Sequence, residues 1–281
     1  MPMARNVPQA PEGLFPVGVR EPVRDYVASL RSRWSLIVEL ARSDLASRHL
    51  NTTLGQLWHL INPALSILIY FLIFGVLLDT RRNVEDFLTF LVTGVFLFRF
   101  AQDIVTSSAS CIANRKGLIR SIQFPRMVLP LSIFVREIIE MVIPLSLLVV
   151  VALSDGVRPT WRWLAFPLVF VALALVALGL ALIAARLGET VPDLQQLLPH
   201  LFRILFYMSG ILYSARALDT NPTVHILFEI NPLYDAISFA RWSIKGETLH
   251  TGMFIGLAFW TLVLPVTGFF FFRGAENRYG R

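Results

Sequence analysis

The sequence predicts an all-α integral membrane protein: six transmembrane helices with an N-terminal amphipathic interface helix and short outer gate helices. Three observations carry that expectation. Of 281 residues, 55% are hydrophobic and 16% charged, too apolar a balance for a soluble domain of this length. Mean hydropathy is +0.63. The apolar residues also fall in long runs, several near the roughly 20 residues a helix needs to cross the hydrocarbon.

Residues 1–25 are rich in proline and charge and read as a flexible tail. Residues 26–58 form an amphipathic interface region, and 59–281 the six-span transmembrane domain. In the interface region Leu30, Trp34, Ile37, Val38, Ala41 and Leu45 fall on one helical stripe, with Arg31, Ser35, Glu39 and Arg42 opposite. Such a basic amphipathic helix suits the headgroup layer; packing on a soluble partner is the competing reading. No cleavable signal peptide is expected, since the best apolar candidate, WSLIVELA, is broken by Glu39.

Six runs qualify as spans: 61–78, 87–109, 128–153, 163–185, 197–213 and 251–272. Placing the N-terminus inside puts 15 of the 25 Lys/Arg on inner segments, seven on outer segments and three within spans. That bias predicts both termini inside. It also accounts for the net charge of +6 without a nucleic-acid partner. Cys111 is the sole cysteine, so no internal disulfide forms. Gly252 and Gly256 make a small-xxx-small pair suited to close helix packing, a spacing common by chance.

The segment NRKGLIRSIQFPRMVLP, 114–130, holds four basic residues and no acid. Asn114 is placed to start a short helix, Leu118, Ile119 and Ile122 give it an apolar face, and Pro125 stops it. Either it meets a partner or its charges merely hold orientation. In the outer segment 214–250, Asn221 and Asn231 are placed to cap two short helices opened by Pro222 and Pro232. In the second, Leu233, Ala236, Ile237, Ala240 and Ile244 share a face, with Tyr234 and Trp242 off it. Asn221, Asn231, Pro232, Tyr234 and Trp242 are the candidates for an outer gate; a surface cap on the bundle fits equally.

Charges inside spans are costly and tend to face protein or water. Arg99 and Asp103 are one turn apart and placed to pair, as are Arg136 and Glu140; Arg203 has His200 nearby. Glu137 and Glu140 share a face, but no nucleophile accompanies them and the five histidines lack metal-ligand spacing. A membrane glycosyl- or acyltransferase needs acids or histidines clustered at one membrane face, and the sequence displays no such cluster. A structural membrane scaffold would not need the Phe-Pro-Arg segment.

Arg48, His49, Thr53, Leu54, Gly55, Trp58, Asn62 and Pro63, then Leu118, Phe124, Pro125, Arg126, Leu129 and Pro130, then NPLYDAISFAR, resemble three blocks of one family. It is the permease subunits of polysaccharide-exporting ABC transporters, the Wzm-like exporters of O-antigen and teichoic acid. Within it the chain reads most like an exporter of lipid-linked galactan. The chain departs from the family at Phe98–Arg99, often Trp-Asn, and at Ser209–Gly210, often Ser-Pro. The resemblance implies a multi-pass protein of the bacterial inner membrane, working as a homodimer with two ATPase chains and moving lipid-linked polysaccharide outward between the two copies. It binds no cofactor itself: no G-x-x-x-x-G-K-[ST] occurs, and ATP and Mg belong to the partner. The implied ATPase-coupling residues are Arg115, Lys116, Leu118, Arg120, Phe124, Pro125 and Arg126. Path candidates are Phe96, Arg99, Phe100, Arg203, Phe206, Tyr207 and Tyr213; the aromatics offer faces for sugar rings, the arginines charge for a pyrophosphate. The competing readings are lipid contact or core packing for the aromatics and local neutralisation for the arginines. A drug or simple-lipid exporter is the rival within the transporter class.

Overall fold

The computed structural model describes residues 22–47, 58–77, 86–212, 228, 230–249, 251–276 and 279. Every regular element among them is helical. Of the residues singled out above, Arg48, His49, Thr53, Leu54, Gly55, Tyr213, Asn221 and Pro222 lie outside the described residues.

The centre of the bundle is α4, Phe87–Ala109, with 17 of its 23 residues buried. At 1.5 Å per residue it is about 34 Å long, enough to cross a bilayer. Its first turn needs an acceptor for free N–H groups. Asp155 supplies it from a distant loop: Oδ2 accepts both the backbone N–H and the hydroxyl of Thr89, each at 2.9 Å. Around α4 stand α6 (Val128–Glu140), α7 (Val142–Ser154), α8 (Phe166–Thr190) and α11 (Thr251–Gly274). α6 and α7 form one rod of 27 residues broken at Met141. Pro144 explains the break, because it has no N–H to offer the Glu140 carbonyl one turn earlier. α8 is prefaced by a 3₁₀ turn, Trp161–Ala165.

α8 and α11 touch backbone to backbone. A Cβ on Gly268 would lie 2.5 Å from the Gly179 carbonyl oxygen, and one on Gly179 would lie 2.3 Å from the Leu264 carbonyl carbon. Gly188 approaches α4 as closely: its Cβ would sit 2.0 Å from the Ala109 oxygen. Small residues on α8 thus set the packing, as expected between membrane helices.

Four helices among the described residues are long and apolar enough to cross a membrane: Phe87–Ala109, Val128–Ser154, Trp161–Thr190 and Gly252–Gly274. The other two expected runs are shorter. α3, Trp58–Tyr70, continues as a π-helical stretch, Phe71–Leu77. α9, Leu194–Met208, has 15 residues and stops where Gly210 turns to φ +57°.

Two helices precede the bundle, α1 (Val23–Ser32) and α2 (Trp34–Ser47). α1 begins inside the stretch expected to be tail, and its Tyr26 is buried. The expected stripe divides: Leu30, Ile37 and Ala41 are buried, α2 lying along α6, while Trp34 stays 55% exposed. Tyr26, Leu30 and Ile37 join Cys111, Ile119, Phe124 and Phe272 in a second apolar cluster at one end of the bundle. This end also carries the 114–126 segment and is called the basic end below.

Candidate functional site

A cavity of about 590 Å³ lies between α3, α4 and the α6–α7 rod. Its walls carry Trp58, Phe96 and Phe100, the polar groups Asn62, Ser66 and Arg99, and the carboxylates Asp103, Glu137 and Glu140. Asn62, Ser66 and Ile69 come from one face of α3; Phe96, Arg99, Phe100 and Asp103 from one face of α4, as the helical repeat demands. Arg99 lies ten residues, or about 15 Å, from the α4 end at Ala109, well inside the hydrocarbon depth. Arg99 and Asp103 are both exposed to the cavity side and, among the described residues, do not pair with each other. The one-turn spacing therefore did not make the expected ion pair. The structure also brings Asp103 to the face that Glu137 and Glu140 were expected to share.

Arg136 does use Glu140, at 3.9 Å, but its tighter contact is with Glu137 next along the chain. A third acid comes from outside the bundle. Asp44 of α2 lies 3.6 Å from Arg136 Nη1 and also accepts from Arg115 Nη2. Arg115 donates further to Ser132 Oγ at 3.1 Å, and Arg136 to Ser107 Oγ at 3.3 Å. Sequence reasoning did not select Asp44: one carboxylate on an amphipathic helix looks like any solvated charge.

The basic segment contains a 3₁₀ turn, Ala113–Arg115, and α5, Lys116–Ser121. Asn114 is not the cap of α5; it sits within the 3₁₀ turn and donates to Ser110 Oγ at 3.1 Å. Nor does Ile122 complete an apolar face: it lies past the helix end, in extended backbone, and is 43% exposed. Ile119 and Phe124 are the buried anchors, with Leu118 packed beside them. Pro125 and Arg126 are half-buried, and the Arg126 guanidinium sits 5.5 Å from the Phe124 ring centre. Lys116 and Arg120 face outward.

The far side of the segment is pinned by the end of α11 and the turn that follows it. Glu276 Oε1 accepts the Arg126 backbone N–H at 2.6 Å, and Arg273 lies over the Tyr26 ring. Burial pushes the Glu276 carboxyl above the usual carboxylate range despite the neighbouring arginines. Burial likewise pushes the Tyr26 phenol up and the Cys111 thiol up to about 12.

The remaining candidates lie away from the cavity. Phe206 stacks on Tyr70 at 5.6 Å and meets Phe98 edge-on at 5.3 Å, so it is packed between α3, α4 and α9. Arg203 and Tyr207 are exposed on α9, with Leu197, Leu201 and Ile204 beside them. α10, Pro232–Lys245, is capped by Asn231, whose Oδ1 accepts the Leu233 N–H at 3.0 Å. It is buried on nearly every side. Tyr234, expected off the apolar face, is 6% exposed against Phe228, and Trp242 is half-buried beside Phe239. Two contacts that the sequence did not signal tie α10 to the end of α9. Asn231 Nδ2 donates to Ser209 Oγ at 2.9 Å, and Arg241 donates to the carbonyls of Gly210, Ile211 and Phe90.

A family model described as ABC-2 type transporter matches residues 36–245. The chain is similar to the O-antigen export system permease protein RfbA of Klebsiella pneumoniae: 28% identical over 248 residues, 88% of this chain and 94% of that protein. A protein of the same name from Myxococcus xanthus is 34% identical over 134 residues, 48% of this chain and 51% of that protein. The match therefore spans about half the length of the Myxococcus relative.

Proposed function

We propose a function from one premise: the chain belongs to the ABC-2 type transporter family. It is the permease subunit of an ATP-driven exporter that carries a lipid-linked polysaccharide outward across the inner membrane, with lipid-linked galactan the favoured cargo. Likeness to an O-antigen export permease along 88% of the chain supports the substrate class. Six crossings result when Ile61–Leu77 and α9 join the four full-length helices. The basic end then faces the cytoplasm, with both termini, and α2 lies at the inner leaflet with Trp34 toward headgroups.

One observation carries the reading. The basic segment is held rigidly from behind, by Ile119, Phe124 and the Glu276 carboxylate, while it offers Lys116 and Arg120 to the outside. Anchored cations of this kind suit an acidic groove on each of two ATPase chains, which bind the ATP and Mg. The second copy of the permease meets the exposed face of α9, where Arg203 and Tyr207 border the path between the copies; Phe96, Arg99 and Phe100 line the cavity leading to it. α10 and the outer end of α9 form the outer gate.

The test is depletion of this chain in its host. Lipid-linked glycan should build up on the cytoplasmic face while synthesis continues. Unchanged delivery to the outer face would refute the export role.

A further inference from the structure

We propose that Asp44 is a positioning residue that joins the basic segment to the cavity wall, by sharing the Arg136 guanidinium with Glu137 and Glu140. The inference rests on the export function above and concerns how force reaches the path. The basic segment contributes Arg115, the N-terminal helix contributes Asp44, and the α6–α7 rod contributes Arg136. One carboxylate oxygen, Asp44 Oδ2, meets both arginines. The two arginines are otherwise tethered to the bundle by Ser132 and Ser107.

Arg136 is 8% exposed and Glu137 5%, so their interaction is little screened by water. Such a half-buried set cannot lose one member without leaving an uncompensated charge. It therefore responds to displacement by re-pairing. When the segment moves Arg115, and Asp44 is drawn with it off Arg136, Arg136 turns wholly to Glu137 and Glu140. When they return, Arg136 is shared three ways, and the cavity wall regains negative charge. Glu137 and Glu140 line the cavity, so movement outside the membrane is converted into a change of charge about midway along the spans. The change acts beside Trp58, Phe96 and Phe100, where a sugar ring and its hydroxyls would be held or released.

The permease, purified with the ATPase chains that accompany it and reconstituted in liposomes, tests this with Asp44→Asn. The amide keeps the shape and one acceptor but drops the charge. Hydrolysis of ATP should stay within about twofold of wild type while glycan export falls roughly tenfold, a usual size for coupling between linked sites. Asp44→Glu should recover export. The second readout does not need cargo. Cys111 is buried, so a Ser66→Cys substitution in the cavity wall gives this chain a single reactive thiol, read on its own gel band. Its labelling rate should change on adding ATP in the Asp44 protein and stay constant in the Asp44→Asn protein. Equal loss of hydrolysis and export, unrescued by Asp44→Glu, overturns the proposal, as does nucleotide-sensitive labelling in the Asn variant. Should Asp44→Asn fail to assemble, Arg136→Lys keeps the buried charge but loses the fork shared among three carboxylates, and must give the same split. A wild-type complex that hydrolyses ATP without exporting glycan overturns the function proposed above, while the thiol readout still decides the role of Asp44.

Discussion

The guanidinium of Arg241 donates to the carbonyl of Gly210 across 2.9 Å, and to those of Phe90 and Ile211 at 3.2 Å. It stands over the Phe90 ring as well, and its partners belong to α4 and to the chain just past α9. A planar fork of donors suits three carbonyls; an ammonium does not. Arg241→Lys should therefore lower stability by about 2 kcal/mol, since buried carbonyls lose their donors. Thermal unfolding in detergent reads this, and a Lys variant melting with wild type refutes the staple.

The Asn231–Ser209 bond sits beside that staple. Together they make α10 and the outer end of α9 one body rather than two that slide. Cysteines placed at both buried positions and oxidised to a disulfide should leave export running. Arrest of export by this link would show that the gate opens between them.

Helix crossings on α8 leave no room for a methyl group. Gly188→Ala should destabilise by roughly 1–3 kcal/mol, as overpacking does. Gly117→Ala is the contrasting case: nothing lies within 4 Å of its added Cβ. There a gain of about 0.5–1 kcal/mol is expected from helix propensity. Melting temperatures of the two variants should move in opposite directions.

Cys111 is fully buried and its thiol is pushed up to about 12. At pH 8 almost none of it is thiolate, the reactive form. A maleimide should leave the folded protein unmodified and react once after denaturation. Rapid labelling of the native protein contradicts the packing at the basic end.

Glu276 has a folded carboxyl raised by burial above its unfolded value. The protonated form is the one the fold prefers. Its contribution to stability is thus complete below the usual carboxylate range and is lost as pH rises through the raised value. Glu276→Gln keeps an oxygen for the Arg126 N–H and cannot ionise. Melting curves from acid to neutral pH should show the Gln variant gaining on wild type as pH rises; a gap that stays constant removes Glu276 from the pH response.

The sequence located α4 to the residue, because a mostly apolar run of 23 residues opening just after Glu85 and Asp86 admits one helix. It located the Asn231 cap, since Asn-Pro before an apolar repeat is a local signal. What it missed is long-range. Asp44 and Arg115 are 71 positions apart, and Arg126 and Glu276 are 150 apart; no local spacing records either. Pro144 was legible, but its effect, a break at Met141 inside a crossing, was not drawn. The Gly252–Gly256 pair matched a packing pattern, whereas the bare backbone contacts belong to Gly179, Gly188 and Gly268. The amphipathic stripe was real, but part of it faces α6, so Trp34 alone among its large residues is left outward.

The Gly179–Gly268 crossing has a mechanical implication. Two helices whose peptide planes rub together, with no side chains between them, have no lubricating layer and no alternative rotamers through which to glide. They make a stator. Whatever travels during a transport cycle must be hung on that fixed pair, and α3, which meets α9 by the stacking of Tyr70 on Phe206 instead of interlocked backbone, is less firmly fixed than they are.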